Sequence, residues 1–336
     1  MPILDYSNEI KAEIMTFMVE KFQPDRNDVA DKIFDKVELA DNMIQHKIVD
    51  DIGIDDFELT GEMEAYKIAS NVQGLAKIGK VNKFTKKIIA SEETVEGLPQ
   101  IKNFFMHKAQ KMMEAYKRTR EKVLATAYNK GGITTGHAYF NGGNFSYNDT
   151  SGDVVYDGKP FFNLTNNTRT DSQGNTYYNH IGALALTTAN LATACNMMEA
   201  TNAKNYLGEA VDITATRLLI PKNLKQTAHE ITKTMQYMPT GTTDTSIPAN
   251  YFFQHLEPIA WSQLTDVDGW FVLGDKNPAK ELVKKSNIPY GKEIVLPEIN
   301  ISYDDEKGCY VMTAKLWCGF LVDQWQYAIA SNIATS

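Results

Sequence analysis

Between Pro99 and Gly131-Gly132 an apolar residue recurs every three or four positions: Ile101, Phe105, Ala109, Met112, Tyr116, Val123 and Ala127, with Thr119 the one interruption. That spacing predicts an amphipathic helix. At 1.5 Å per residue it extends on the order of 40 Å. Proline suits its start and the glycine pair its end. The opposite face carries Lys102, Lys108, Lys111, Lys117, Arg118 and Lys122. This is the strongest element in the sequence, and its stripe needs a partner surface of matching length.

The hundred residues before it are of a different kind. Ile10, Ile14, Phe17 and Met18 follow Ser7, an N-cap residue type, and Pro24 ends the run. They predict a short amphipathic helix. Val29, Ile33, Val37 and Ala40 make a second stripe and predict a second helix. Neither has enough apolar surface to stand alone. From Phe57 to Glu96 come short β-forming runs, Phe57–Gly61, Ala76–Val81 and Lys86–Ala90, separated by Gly and Asn. They read as a long charged hairpin without a core of its own, which requires another surface to lie on.

After the long helix, residues 131–180 are rich in Gly, Asn, Thr and Tyr and read as hairpins and loops. Leu184–Ala203 is predicted helical, Arg217–Ile220 a buried strand, and Pro221 opens a helix through Leu224, Ala228, Ile231 and Met235. Strands are predicted at Gly269–Leu273, Glu298–Tyr303 and Cys309–Tyr327, the last two joined by the turn Asp304–Gly308. No internal repeat or low-complexity segment occurs.

Charge is distributed in blocks. Residues 1–64 hold 17 acids against 6 bases, residues 65–90 hold 6 lysines and no acid, and residues 99–130 hold 8 bases against 2 acids. Adjoining blocks of opposite sign permit complementary contacts between neighbouring copies. The whole chain of 336 residues has a net charge of -8, which argues against a nucleic-acid reader. With 43% apolar and 23% charged residues it is composed like a globular protein. No stretch reaches the roughly 20 apolar residues that span a bilayer, and Met1–Glu9 lacks the layout of a signal peptide. The expectation is a soluble chain made in a cytoplasm, with no membrane partner.

Candidate chemistry is sparse. His229-Glu230 begins like a zinc-protease helix, but Lys233 stands where the second histidine would be. Asp266-Val267-Asp268-Gly269 starts like a calcium loop but lacks the third acidic ligand and the distal Glu. Cys195, Cys309 and Cys318 are scattered, without a C-x-x-C pair. Cys195 falls in the apolar stripe Leu191, Cys195, Met198 and reads as core. No phosphate-binding glycine loop or nucleophile elbow is present. No catalytic, cofactor-binding or metal-binding residue is assigned, and no cofactor is expected.

Four stretches in the second half resemble the major capsid protein of tailed bacteriophages, nearest the Mu-like major head subunit group. They are Tyr156–Phe162; Leu186-Thr187 with Asn190-Leu191 and Ala194; Leu218–Pro221 with Leu224, Ala228 and Ile231; and Asn250-Tyr251, Leu256-Glu257, Leu264–Asp266 and Gly269–Leu273. Their order and spacing match from about 156 to 275. Each alone is mostly core and turn residues; four in order over half the chain carry the resemblance.

The resemblance implies an α+β chain with the Hong Kong ninety-seven capsid fold. It assigns 1–56 to an N-terminal arm, 57–97 to an extended hairpin loop, and 98–179 to a peripheral domain with a spine helix. Residues 180–310 become an α/β axial domain, and 311–336 strands returning to the peripheral domain. It implies a structural shell subunit, not an enzyme, self-assembling as pentamers and hexamers into an icosahedral head around double-stranded DNA. Implied partners are further copies of the chain, scaffold, portal and decoration proteins, and weak non-specific contact with packaged DNA. The virion is its implied location, after assembly in the bacterial host cytoplasm. The charge blocks suggest inter-subunit contacts of Lys80, Lys83, Lys86 and Lys87 with Asp50, Asp51, Asp55 and Asp56 of an adjacent copy. Two other readings are an encapsulin-like nanocompartment shell, and a soluble hydrolase built on Cys195.

Overall fold

A computed structural model describes residues 16, 28–49, 76–91, 101–132, 137–138, 146–147, 159–235, 250–288 and 295–333. In chain order its elements begin with α1 (Val29–Ile33), β1 (Phe34–Leu39), β2 (Gln45–Val49), β3 (Ala76–Lys80), β4 (Asn82–Ser91) and α2 (Ile101–Asn129). The two-residue ladders β5 (His137–Ala138), β6 (Ser146–Tyr147), β7 (Arg169–Thr170) and β8 (Thr176–Tyr177) follow. Then come α3 (Thr188–Asn196), β9 (Ala215–Pro221), α4 (Lys225–Lys233), β10 (Glu257–Trp261), β11 (Trp270–Gly274) and β12 (Ala279–Lys284). The last three are β13 (Glu298–Asp304), β14 (Cys309–Val322) and β15 (Ala328–Ser331).

The long helix forms as its stripe predicts and packs along a five-stranded sheet. In that sheet β14 is central: β13 and β12 follow one another along one edge, β4 pairs with the other, and β1 joins β12 in parallel. Even-numbered residues of β14 meet the helix. Met312 and Ala314 cluster with Phe105, Ala109 and Met112, and Leu316, Cys318 and Phe320 cluster with Tyr116, Val123 and Leu124. Each large side chain removed from water in this way contributes about 1.5–3 kcal/mol. The helix stops at Asn129, and at Gly131 just beyond it a side chain has no room: a Cβ would lie 2.6 Å from both the Ala127 carbonyl and the Phe162 ring.

A second sheet has the order β10-β9-β11-β15, with β9 and β10 parallel and the other pairs antiparallel. One face, with Leu219, Ile259, Trp261, Phe271 and Leu273, joins the core around Tyr128, Phe161 and Phe162. The other face, with Leu218, Ile220, Trp270, Val272 and Ile329, is covered by α3 and α4. After passing from β4 to β9 through α2 and α3, the chain crosses between the sheets again after β11 and after β14. These last two crossings are tied together: the Pro278 carbonyl accepts from the backbone N–H of Asp323 and Gln324 at 2.9 and 3.1 Å, and Lys280 pairs with Asp323 at 2.7 Å. Arg217 of β9 donates to the carbonyls of Lys32 at 2.6 Å and Lys276 at 3.2 Å and to Asn277, holding α1 and the crossing after β11 to the second sheet.

Several sequence expectations need correction. The stripe from Val29 to Ala40 is not one helix: it breaks after Ile33, and Phe34–Leu39 turns into β1 because pairing with β12 continues residue for residue from Phe34 to Leu39. Ala76–Val81 and Lys86–Ala90 are not two arms of one hairpin. Here β3 pairs with β2, whereas β4 pairs over ten residues with β14. β4 therefore rests on its own chain's core through Ile88 and Ala90. The run Phe57–Gly61 and the helix expected over Ile10–Met18 lie outside the described residues. The helix expected from Leu184 starts at Thr188, capped by the Thr187 side chain accepting from Asn190 N–H, and ends in a π-turn at Met197–Thr201. Pro221 closes β9 instead of opening a helix, and a 3-10 turn at Lys222–Leu224 leads into α4. The strand expected to Tyr327 stops at Val322, and β15 resumes in the second sheet. The 180–310 and 311–336 segments thus do not divide the sheets: β12, β13 and β14 share one, while β15 belongs with β9–β11.

His180 lies in this inter-sheet region, 3% exposed, bridged to Ala330 of β15. Neither ring nitrogen has a hydrogen-bond partner among the described residues. Burial disfavours the imidazolium and depresses the pKa to about 4. Between the unfolded value near 6.5 and about 4, the unfolded chain binds the additional proton. Stability contributed by neutral His180 is therefore present above pH 6.5 and is lost as pH falls toward 4, with a slope of up to about 1.4 kcal/mol per pH unit. Urea titrations of the parent and His180→Leu between these pH values check this; equal slopes would refute it.

Candidate subunit interface

β4 brings together the lysines singled out from sequence. Strand alternation directs Phe84, Ile88 and Ala90 toward the core, and Lys83, Lys86 and Lys87 remain exposed. The register sets Lys83 opposite Trp317, Lys86 opposite Ala314 and Lys87 opposite Thr313. Lys83 Nζ lies 5.8 Å from the centre of the Trp317 indole, which also carries Lys284 Nζ at 3.8 Å. None of Lys83, Lys86 and Lys87 has an acidic partner among the described residues. Lys80 is the last residue of β3, where its backbone pairs with Gln45. Asp50, Asp51, Asp55 and Asp56 lie outside the described residues. Among the described residues β4 pairs along one edge only, and lysines on such an edge discourage uncontrolled strand addition.

The β2–β3 ribbon is seated on its own sheet at Gly79. A Cβ there would crowd Leu282 Cδ1 and lie 3.1 Å from Leu321 Cβ, so a side chain at this position would have to push Leu282 aside. Leu39, Val81, Leu282 and Leu321 form the apolar patch beneath.

Behind this surface is a buried ion network that spacing did not reveal. Arg120 of α2 donates through Nε and Nη2 to both oxygens of Glu281 on β12, each at 2.6 Å, and through Nη2 to Asp31 of α1 at 2.6 Å. Lys36 also pairs with Asp31 at 3.0 Å. Burial alone would raise the Asp31 pKa, but the charges of Arg120 and Lys36 prevail and hold it below the usual carboxylate value. The network ties helix, central sheet and α1 together. A second polar cluster hides in the Asn-rich stretch read as loops. Asn179 Nδ2 donates to the carbonyls of Phe161, Trp325 and Ala328, and its Oδ1 accepts from Asn163 N–H at 2.9 Å. Arg169 donates to the Pro160 carbonyl at 2.6 Å and to Asn163 Oδ1, with its guanidinium 4.9 Å from the centre of the Trp325 ring.

The residues considered for chemistry do not converge. Cys195 is buried on α3, and burial followed by the nearby Glu199 charge pushes its thiol up to about 12. A thiol so raised stays protonated and is a poor nucleophile. Thiol reagents at neutral pH should therefore label the folded chain slowly, and rapid stoichiometric labelling of Cys195 would contradict its buried setting. His229 is an exposed residue of α4, and Asp266 and Asp268 lie in the connection before β11. Among the described residues no group of three or more His, Cys, Asp or Glu is placed to hold a metal, and no helix is long and apolar enough to cross a membrane.

Comparison with known proteins accounts for this arrangement. The family described as phage capsid protein matches residues 75–285. Among solved structures, Mycobacterium phage Patience aligns with a TM-score of 0.52 at 12% identity, covering 100% of this chain and 89% of that one. The capsid of a native GTA particle aligns with a TM-score of 0.52 at 10% identity, covering 94% and 92%. A phage-related protein from Bordetella bronchiseptica RB50 gives a TM-score of 0.51 at 6% identity, covering 96% and 97%. No curated protein sequence matches. The fold is thus that of the tailed-phage shells, the role is structural and not enzymatic, and the chain belongs to the phage capsid protein family.

Proposed function

We propose that this capsid protein is the major head subunit of a tailed phage, closing as pentamers and hexamers into an icosahedral shell around double-stranded DNA. The observation that carries the reading is the family match over residues 75–285, which spans β4, α2, α3, α4, β12 and three of the four strands of the second sheet. A repeated shell needs many modest contacts, because closure multiplies each of them. The lysines of β4, which have no acidic partner among the described residues, and the acid-rich 1–64 block supply surfaces of that kind. On this reading residues 1–56 act as an arm and the segment between β2 and β3 as a loop reaching a neighbour. The first sheet with α2 forms the peripheral body, and the second sheet with α3 and α4 the axial one. Lys80, Lys83, Lys86 and Lys87 then meet acids of an adjacent copy, Asp50, Asp51, Asp55 and Asp56 among them. Scaffold, portal and decoration proteins are the further partners, assembly takes place in the host cytoplasm, and contact with the packaged DNA is weak.

Negative-stain imaging and sedimentation of the concentrated full chain test this. Closed shells or ring-shaped capsomers are expected. A chain that stays monomeric at all concentrations, with residues 57–97 resistant to protease, would refute it.

A further inference from the structure

α4 carries a feature that subunit packing has not absorbed. Lys222, in the turn before it, and Lys225, His229 and Lys233 follow one another at spacings of three, four and four, and all four are exposed. That spacing aligns them along one face of a helix, over about 16 Å at 1.5 Å per residue. None of the four has an acidic partner among the described residues. The one acid on the helix, Glu230, accepts from Gln226 Nε2 at 2.9 Å. On the long basic helix α2 three of the charges are engaged, Arg120 by Glu281 and Asp31, Lys111 by Glu114 and Lys117 by Asp28.

The ridge also borders a cleft. Lys225 and His229 of α4, Lys32 and Val29 of α1, and Ile220, Pro258, Ile259 and Ala260 line it. Lys32 holds Glu257 at 3.1 Å, so the one acid paired at this rim is already neutralised. The floor is apolar and the mouth cationic, with a ridge of further charge leading away on one side. Such a surface suits a chain that alternates phosphates with apolar sugar edges, whose negative charges recur every few ångströms.

We propose that this ridge, Lys222, Lys225, His229 and Lys233, is the surface through which the subunit touches the phosphate backbone of duplex DNA. The proposal rests on the reading of the chain as a DNA-filled shell and assigns that weak contact to one element. Three or four phosphates are the most it can neutralise. Contact is then loose and independent of base sequence, and it leaves a genome free to exit.

Fluorescence anisotropy of a labelled random-sequence duplex with full-length unassembled subunits tests it. Three lysine contacts give a salt slope of about 2.7, so affinity should fall about 40-fold between about 50 and about 200 mM salt. Lys222→Gln/Lys225→Gln/Lys233→Gln should abolish that slope, and the triple arginine variant should keep it. A control, Lys108→Gln/Arg118→Gln/Lys122→Gln on α2, should bind as the parent does. If the triple glutamine variant does not fold, Lys225→Gln alone should lower the slope by about 0.9. Duplex binding by the triple variant equal to the parent's overturns the proposal. So does retention of duplex binding with loss of shells, which makes the ridge a contact between copies. Binding of poly-glutamate but not duplex would identify an acidic protein as the partner and overturn it equally. Imaging the same samples separates this from the shell reading, since shells from the parent uphold that reading whatever the anisotropy shows.

Discussion

Arg120→Met should destabilise the folded chain by about 3–5 kcal/mol at neutral pH, the usual cost of leaving one half of a buried ion pair alone. The side chain of Glu281 is fully buried, and both its oxygens are bound by this one guanidinium. Without Arg120 the carboxylate must stay charged in an apolar setting or take up a proton. Glu281→Gln should cost clearly less, because Arg120 keeps Asp31 at 2.6 Å. The double change Arg120→Met/Glu281→Leu should recover most of the loss, since it removes both charges and fills the space. Denaturant titrations of the unassembled chain give all three values. Equal costs for the two single changes would mean that Asp31 offers no compensation and that the network is misread. Acid should weaken the same network. The depressed Asp31 pKa contributes stability above its unfolded value, and this is lost as pH falls through the lower folded value.

The second large effect concerns assembly and not stability. Replacing Lys80, Lys83, Lys86 and Lys87 together by Glu should abolish shell formation while leaving the subunit folded. Lys86 and Lys87 are exposed, and Lys83 touches its own chain at the Trp317 ring, so the core has little to lose. Single replacements should have little effect, because an exposed pair contributes only about 0.2–1 kcal/mol. Salt should act in the same direction, since the screening length shrinks to about 3 Å at 1 M. Sedimentation and imaging at low salt decide the matter: shells from the quadruple variant in the parent's yield would mean that these lysines are merely solvated.

What the sequence disclosed, and what it hid, follows from distance along the chain. α2 was legible because its stripe repeats locally, and the β13–β14 pair because the turn Asp304–Gly308 joins it. β12 was missed because Ala279–Lys284, with Ala, Glu, Leu and Lys, has the composition of a helix; pairing with β14 on one side and β1 on the other overrides that preference. β1 was misread because Val29, Ile33 and Val37 keep helical spacing across the point where the chain extends. The lysines of β4 were visible as a charge block, but that they sit on their own sheet was not, since β14 is more than two hundred residues away. The same holds for Arg120 and Glu281, 161 residues apart, and for Asn179 with Trp325 and Ala328. No local pattern marks a charge that will be buried against a distant one.

The tied double crossing between the sheets has a consequence for how the chain comes off the ribosome. The central strand of one sheet is β14 and an edge of the other is β15, and each is the last strand of its sheet in chain order. β1, the first strand, pairs with β12 across some 245 positions. Neither sheet is complete until these strands have been made, and contacts of such long sequence separation form slowly. A nascent chain therefore exposes α2 and β4 without the scaffold that orders them. On the proposed reading as a shell subunit, competence to associate waits for β14 and β15, so growing chains on one messenger are kept from polymerising with each other before they fold.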